Sequence, residues 1–237
     1  MTGHEEAGLL ADIREHPDEP ALRLIHADWL EERGRTAQAE FVRAQCRLAA
    51  LPRSAPERSP LQEEAQRLLR EKWAEWTRPF ASLMGTMPNP VAAQFRHTER
   101  SIAAYPRGLR ESLAVDARVL VQRGGELMDL APLRHLDLHA PSEAGAALGA
   151  SRHLRWIETL LVTDRYIGPM DAATMGGLAE SPHLGRLREL WLPHNSLGDR
   201  GAARLAAAPW LRRVRHLSLS DNGLSAEGAE ALARASG

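Results

Sequence analysis

Side chains that bind metals or move protons concentrate in one short run, His135-Leu136-Asp137-Leu138-His139. Its alternation with a period of two predicts a β-strand that places the three polar residues on one face and the two leucines on the other. A His-x-His pair suits a transition metal. The three polar residues extend over about 13 Å at ~3.3 Å per residue, however, so they do not converge on one ion. We therefore predict a polar binding patch with no metal and no cofactor, and keep His135, Asp137 and His139 as weak metal candidates.

A second polar group, His26-Ala27-Asp28-Trp29, lies in a predicted helix. His26 and Asp28 are two residues apart and do not face each other on a helix, which argues against a catalytic dyad. Asp28 comes one turn after Leu24 and beside Trp29, so we expect it at the border of the buried face, where a charge needs a partner. Arg43 of the following helix is the predicted partner. Asp28, Trp29 and Arg43 are therefore predicted to be structural residues.

The single cysteine, Cys46, cannot form an internal disulfide. With His26 it would make a thiol nucleophile and its base, but no residue supplies the orienting group or the oxyanion site that such catalysis needs. Arg43 and Arg47 lie beside it on the predicted helix, and we expect their charges to lower the pKa of the thiol. The sequence therefore predicts no catalytic residue and a protein that is not an enzyme.

The elements that must position these residues become visible through an internal repeat near the C-terminal end of the sequence. The segment LRELWLPHNSLGDRGAARL from Leu187 recurs, shifted by 27 residues, as VRHLSLSDNGLSAEGAEAL from Val214. Six positions coincide: Leu190 and Leu217, Leu192 and Leu219, Asn195 and Asn222, Leu197 and Leu224, Gly201 and Gly228, Leu205 and Leu232. Each copy predicts one short strand and one Ala-rich helix, neither of which buries its apolar side without its neighbours.

The shared pattern, L-x-x-L-x-L-x-x-N-x-L, resembles leucine-rich repeats of the ribonuclease-inhibitor type, whose period lies within about 20 to 29 residues. Earlier copies of the strand are LRHLDL at 133–138, IETLLV at 157–162 and, more weakly, RESLAV at 110–115. The resemblance implies an α/β solenoid of about four to five repeats over residues 109–237, with parallel strands inside and helices outside. Asn195 and Asn222 are the template asparagines and are predicted to be structural residues.

Residues 1–80 follow a different pattern, which predicts a small all-α domain. In the helix that starts at Pro20, we predict that Leu22, Ile25 and Trp29 form the buried face. Residues 81–108 contain several Pro and Gly residues and are predicted to form a connecting segment with irregular structure or a short helix.

The stretch DEPALRLIHADWLEERG, with the following AEFVRAQ, resembles the N-terminal repeat-companion domain of bacterial leucine-rich-repeat proteins. The matching residues are Asp18, Arg23, Leu24, Ala27, Asp28, Trp29, Leu30, Glu31, Glu32, Gly34, Glu40, Phe41 and Arg43. His26 departs from the aromatic residue that the pattern has there. The resemblance implies a bacterial protein, in keeping with the Arg- and Ala-rich composition, but it implies no activity for this domain.

Solenoids of this kind bind partners on the concave face of their strands, which the template assigns to the positions between the leucines. We predict partner contacts there and in the adjoining turns from His135, Asp137, His139, Thr159, Glu189, Trp191, His194, His216, Ser218 and Asp221. Trp191 is expected to matter most, because the template leaves it outside the core and an exposed Trp beside charged residues is typical of an interface anchor.

The overall charge narrows the class of partner. There are 30 basic and 31 acidic residues, and the net charge of -1 disfavours nucleic acid and anionic membranes. No run approaches the ~18 apolar residues of a membrane helix, and the first residues lack the features of a signal peptide. We therefore expect a cytoplasmic protein.

These observations predict a non-catalytic module that binds another protein or a peptide. The alternative is an accessory or regulatory subunit of an enzyme, since similar leucine-rich-repeat proteins regulate small GTPases or present a peptide to a modifying enzyme. The last predicted strand, at 214–219, would form a sheet edge. We expect either that Arg212, Arg213 and Arg215 protect this edge by charge or that a homodimer or partner contact covers it.

Overall fold

The structure is a computed structural model that describes residues 2–84, 106–139, 144–162 and 170–235. The chain divides into two compact units. The helical unit comprises Met1–Leu113 and Glu126–Leu133, and the repeat unit comprises Ala114–Gly125 and Arg134–Gly237. Most of the predicted connecting segment at 81–108 lies outside the described residues. Within the described ranges, no helix combines the length and the apolar character needed to cross a membrane.

The helical unit is built around helices α1 (Thr2–Glu15), α2 (Pro20–Glu32), α3 (Thr36–Ala50) and α4 (Arg58–Met84). α2 begins at Pro20, whose fixed φ and missing N–H suit the first position of a helix. One group of buried apolar side chains includes Leu10 and Val42, and a second includes Phe41 and Leu68. α3 contributes to both groups, so it lies between the two parts of the core.

The buried face of α2 differs from the predicted one. The prediction of a face made by Leu22, Ile25 and Trp29 is right in part: Leu22 and Trp29 pack against the core, but Ile25 is 51% exposed. The buried side chains have helical spacing but lie on a neighbouring stripe: Arg23, His26, Ala27 and Leu30. Because two of these four side chains are polar, a search for apolar periodicity does not find the stripe.

Arg23 is buried as one half of an ion pair within the helical unit. Its guanidinium donates to a carboxylate oxygen of Glu111 at 2.6 Å and to the carbonyl oxygen of Pro17 at 2.6 Å. Both charged side chains are almost fully buried. A buried charge is tolerated only with such partners, so Glu111 is what allows an arginine to occupy the inner stripe of α2.

The repeat unit is organised by a sheet with the strand order β1-β2-β3-β4-β5. The strands are β1 (Ser112–Asp116), β2 (His135–His139), β3 (Thr159–Val162), β4 (Glu189–Trp191) and β5 (His216–Ser218). Strands β2 to β5 pair in parallel, and the register aligns Leu136, Leu160, Leu190 and Leu217 side by side. The prediction of a mixed α/β chain with a parallel sheet is confirmed.

Helices follow the strands as α5 (Ala117–Leu130), α6 (Ala147–Ala150), α7 (Ala172–Ala179), α8 (Gly198–Ala206) and α9 (Ala226–Ala235). Glycine allows α6 and α7 to approach closely, since a Cβ atom added at Gly149 would lie 1.8 Å from the carbonyl oxygen of Gly177. A short 3-10 turn precedes each of β3, β4 and β5. These turns are Arg152–Trp156, Leu184–Arg186 and Leu211–Arg213.

Candidate partner-binding site

The outward-facing side chains of β2 to β5 form two rows across the sheet. Side chains alternate along a strand, so the residues between the core leucines point away from the core. The register aligns His135, Thr159, Glu189 and His216 in the first row, and Asp137, Leu161, Trp191 and Ser218 in the second. We call these eight residues the strand face. It brings together seven of the ten predicted contact residues, and Leu161 is its eighth member.

An aromatic pair lies at the β5 side of the strand face. The Trp191 indole and the His216 imidazole have ring centres 4.3 Å apart with planes tilted by 30°. Trp191 is partly exposed and His216 is exposed, while Leu161, the register neighbour of Trp191 on β3, is also partly exposed. The pair and the leucine thus present connected apolar area to solvent, which is typical of an interface anchor.

Polar groups surround this apolar area. Glu189 is exposed and lies between Thr159 and His216 in the register of the first row. The Thr159 hydroxyl lies 3.5 Å from a carboxylate oxygen of Glu189, to which it donates. This carboxylate therefore stays accessible at the centre of the face, where it suits a hydrogen-bond donor or a cationic side chain of a partner.

His139 and Asp137 differ from the other predicted contact residues in their burial. His139 is only 7% exposed, so it contributes little to the accessible surface. Its Nε2 atom lies 3.6 Å from a carboxylate oxygen of Asp137, and the other oxygen of Asp137 has no hydrogen-bond partner within the described ranges. Burial raises the pKa of Asp137, and the attraction of His139 offsets this effect only in part.

The weak metal candidates do not assemble into a metal centre. Across residues 2–84, 106–139, 144–162 and 170–235, no three His, Cys, Asp or Glu side chains come together as potential ligands. His135 belongs to the first row of the strand face, whereas His139 is buried at the other end of the same strand. The extended strand therefore separates the two imidazoles, as its rise per residue requires.

His194 and Asp221 lie in the turns that follow β4 and β5. The His194 Nδ1 atom is 3.5 Å from a carboxylate oxygen of Asp221. Both residues have left-handed backbones, with φ values of 58° and 57°. The left-handed region is uncommon for residues other than glycine, although Asp and His adopt it more readily than most. The turns therefore hold these two side chains in equivalent positions at a small conformational cost.

Asn195 and Asn222 fix these turns from inside. The Asn222 amide nitrogen donates to the carbonyl oxygen of Leu192 at 2.6 Å, and its amide oxygen accepts from the backbone N–H groups of Asn195 and Leu197 at 3.0 and 3.3 Å. The Asn195 amide nitrogen donates to the carbonyl oxygen of Val162 at 2.9 Å. Each asparagine thus bonds the backbone of the preceding repeat, which keeps the strand face in register.

The pair between Asp28 and Arg43 forms at the surface of the helical unit. The guanidinium of Arg43 donates to Asp28 and to Glu31 at 2.6 Å each, and these bonds raise the pKa of Arg43. The expectation that Asp28 borders the buried face is wrong, because its side chain is 68% exposed. Exposed ion pairs stabilise a fold by less than about 1 kcal/mol. This pair therefore contributes little to the stability of the unit.

Trp29 and Cys46 belong to the inner part of the same unit. The Trp29 ring stacks on the His26 ring with centres 6.0 Å apart, and the Arg33 guanidinium lies 4.1 Å from its centre. Burial raises the pKa of the Cys46 thiol. This effect is larger than the lowering of the pKa by the charges of Arg23 and Arg107. The expected lowering of this pKa by neighbouring arginines of α3 is therefore wrong.

A cavity in the helical unit is a feature that sequence patterns did not predict. Its volume is about 370 Å³, and its lining includes Glu6, His26, Arg35, Trp76, Phe80 and Arg110. The Arg35 guanidinium binds both oxygens of Glu6 at 2.8 and 2.7 Å. Burial alone would raise the pKa of Glu6, but the hydrogen bonds from His26 and Arg35 together lower it. His26 departs from the aromatic residue of the pattern that this helix resembles, and that departure is the sequence signal that points to this region.

Comparison with known proteins finds a family match for one segment of the chain. A family model described as Leucine Rich repeat matches residues 212–233. This segment contains β5, Asn222 and most of α9. No curated protein and no solved structure matches the chain. The match supports a leucine-rich-repeat protein, a class in which the repeats suggest a protein-binding module.

Proposed function

We propose that this chain is a non-catalytic module that binds a protein or a peptide on the strand face. In this proposal the repeats form a curved solenoid whose concave side is the strand face, and the helical unit is a repeat-companion domain. The proposal also places the protein in the cytoplasm of a bacterium, on the strength of the sequence resemblance and the composition.

The observation that carries the proposal is the aromatic pair of the partly exposed Trp191 and the exposed His216. Tryptophan is among the residues most enriched at the centres of protein interfaces, where it buries a large area and offers an N–H donor. Leu161 extends the apolar area beside the pair, and Glu189 supplies a charge next to it. This combination of an apolar anchor and a polar rim is the usual composition of a binding hot spot.

The rigidity of the sheet favours binding at low cost. The strands are held by backbone hydrogen bonds in the ladder and by the asparagines in the turns. A partner therefore does not have to order this backbone, and little conformational entropy is lost on association. Truncation of an interface anchor such as Trp191 costs about 2 kcal/mol or more, which corresponds to about a 30-fold loss of affinity.

The test compares three forms of the tagged chain in affinity capture from the native cell. The first is the natural sequence, the second carries Trp191→Ala, Glu189→Ala and His216→Ala, and the third is a matched control. The control carries the same number of alanine substitutions at exposed positions among the helices, namely Glu180, Arg200 and Glu227. Circular dichroism establishes that all three forms are folded.

The expected result is that a protein captured by the natural sequence is lost from the strand-face variant and retained by the control. Titration of the purified partner should then show at least about a 30-fold weaker Kd for the variant, because the anchor is lost. Equal capture by the variant, or equal loss from the control, would contradict the assignment of the strand face as the binding site.

A further inference from the structure

Arginines concentrate at the N-terminal ends of β3, β4 and β5, which lie along one side of the sheet. The segments 152–158, 184–189 and 211–216 contain seven arginines and two glutamates. We call the seven residues the arginine edge; they are Arg152, Arg155, Arg186, Arg188, Arg212, Arg213 and Arg215. Since the whole chain has a net charge of -1, the remainder of the sequence is net negative. These segments of the repeat unit therefore carry a net positive charge in a chain whose total is slightly negative.

Parallel pairing explains why these residues share one edge. A 3-10 turn comes just before each of the three strands, and parallel strands start at the same side of a sheet. The ladder continues one residue into these turns, because the N–H of Arg188 donates to the carbonyl oxygen of Glu158 and the N–H of Arg215 donates to that of Arg188, both at 2.7 Å. Equivalent residues of successive repeats are therefore neighbours.

Side-chain contacts hold several guanidinium groups in place along this edge. The Arg213 guanidinium donates to the carbonyl oxygen of Gly185 at 3.2 Å, and the Arg188 guanidinium donates to that of Arg213 at 3.4 Å. These bonds cross from one repeat to the next. They use one N–H group of each guanidinium, which has five, so the remaining donors are available to a ligand.

Trp156 orders a second pair of guanidinium groups on the same edge. The Arg155 and Arg186 guanidinium carbons lie 4.5 and 5.0 Å from the centre of the Trp156 ring. Such cation–π contacts fix the plane of the guanidinium while leaving N–H groups at its rim for other partners. The tryptophan ring thus stabilises both guanidinium groups without cancelling their charge.

Most guanidinium groups of the arginine edge form no ion pair with a carboxylate among the described residues. Glu158 pairs with Arg134 at 2.5 Å, and Glu189 belongs to the strand face. No carboxylate of the described ranges forms an ion pair with Arg155, Arg188 or Arg213. Like charges held this close repel one another, so a ligand that supplies negative charge would be bound favourably.

We propose that the arginine edge binds an acidic peptide segment, in which closely spaced Asp or Glu side chains pair with the guanidinium groups. Guanidinium and carboxylate groups match in geometry and form short, charge-assisted hydrogen bonds. Three strands span only about 10 Å, because neighbouring strands are ~4.8 Å apart. That length accommodates a few carboxylates, whereas nucleic-acid binding with about six to ten phosphate contacts needs a longer track. This edge is a different surface from the strand face.

The test measures fluorescence anisotropy of a fluorescein-labelled peptide of alternating Glu and Ser at low salt. The variant Arg188→Glu/Arg213→Glu/Arg215→Glu should bind at least about tenfold more weakly, because attractive pairs become repulsive ones. A second variant, Arg212→Glu/Arg215→Glu, changes two exposed side chains for which no hydrogen bond occurs among the described residues, and it should also weaken binding. The control Arg53→Glu/Arg70→Glu/Arg200→Glu makes three equal charge reversals at exposed residues that are not part of the arginine edge and should bind as the natural sequence does.

Several results would overturn the proposal. One is the absence of peptide binding by the natural sequence, and another is equal weakening in the control. A third is that labelled oligothymidylate binds more tightly than the peptide and is lost in the same arginine variants, which would assign the edge to nucleic acid. Trp191→Ala should leave peptide binding unchanged, so that failure of this proposal and failure of the strand-face proposal are distinguishable.

Discussion

Replacing Asn222 with alanine should destabilise the repeat unit more than the same replacement at Asn195, although both occupy the same template position. Asn222 makes three hydrogen bonds to the preceding repeat, with Leu192, Asn195 and Leu197. Within the described residues, which leave out 163–169 of the preceding repeat, Asn195 makes one such bond, with Val162. Each asparagine also makes one bond within its own turn, so these contributions cancel in the comparison.

The expected difference arises from the number of bonds. A buried hydrogen bond contributes about 1 kcal/mol net, so the bonds to the preceding repeat are worth about 3 kcal/mol at Asn222 and about 1 kcal/mol at Asn195. The free energy of unfolding of the two variants should therefore differ by about 2 kcal/mol. With a urea m-value of about 2 kcal/mol/M, the midpoint of Asn222→Ala should lie about 1 M below that of Asn195→Ala.

Urea unfolding followed by circular dichroism measures these midpoints, and hydrogen exchange locates the effect. The backbone amides of Asn195 and Leu197 donate to the Asn222 side chain, so their exchange should accelerate in Asn222→Ala. In Asn195→Ala the acceptor of these amides is intact, and the protection of Leu197 should persist. Equal midpoints for the two variants, or unchanged exchange at both amides in Asn222→Ala, would refute the hydrogen-bond assignment.

Three further predictions concern burial. Glu111→Ala leaves the buried charge of Arg23 without its carboxylate and should lower the free energy of unfolding by about 3–5 kcal/mol in urea titrations, whereas a loss below about 1 kcal/mol would contradict a buried pair. Gly149→Ala places a methyl group against the Gly177 carbonyl and should cost about 1–3 kcal/mol; an unchanged Tm would mean that the helices are farther apart. Burial raises the pKa of Asp137, so its protonated form favours folding and this stabilisation is lost as the pH rises through the raised pKa. Asp137→Asn should therefore raise the Tm at neutral pH and have little effect below the ordinary pKa of an aspartate, and an opposite pH profile would contradict this burial.

The repeat unit was the part that the sequence predicted best. Leucines at fixed spacing fill the core between a strand and its helix. Their spacing alone therefore predicts where the strands lie. The asparagine of the template is equally informative, because its side chain replaces backbone partners that the turn lacks. β2 to β5 accordingly begin within two residues of the predicted copies.

α5 was not predicted, although it covers 14 residues, with a kink at Arg123, where φ is -129° and ψ is 20°. Gly124 and Gly125 lie near its middle, and glycine is unfavourable inside a helix. The structure supplies a reason for one of them: a Cβ atom at Gly124 would lie 2.4 Å from the ring of His153. Packing against another segment requires glycine there, and a local pattern contains no information about that contact.

The helical unit shows the limit of apolar periodicity. Its inner stripe on α2 includes Arg23 and His26, which are buried because Glu111 and Glu6 supply partners from other segments. Such pairings depend on residues far apart in sequence, so only the three-dimensional structure reveals them. The family resemblance did mark Arg23 as a pattern residue, but it offered no reason for the arginine.

The strand face was predicted in composition but not in its contacts. Template spacing places Trp191 and His216 on neighbouring strands, and the structure adds that their rings are in contact. The same spacing treats His139 like His135, yet His135 is partly exposed and His139 is buried. Alternation predicts the direction of a side chain, whereas its depth depends on how neighbouring segments pack over that end of the strand.

The arginine edge should also affect how the protein binds to an ion-exchange resin. Retention on an ion exchanger depends on the local density of charge and not on its total. At neutral pH a protein with a formal charge of -1 should pass through a cation-exchange column, but the arginine edge gives this one a dense positive surface that attracts the resin. The chain should therefore be retained on the column although its net charge is negative.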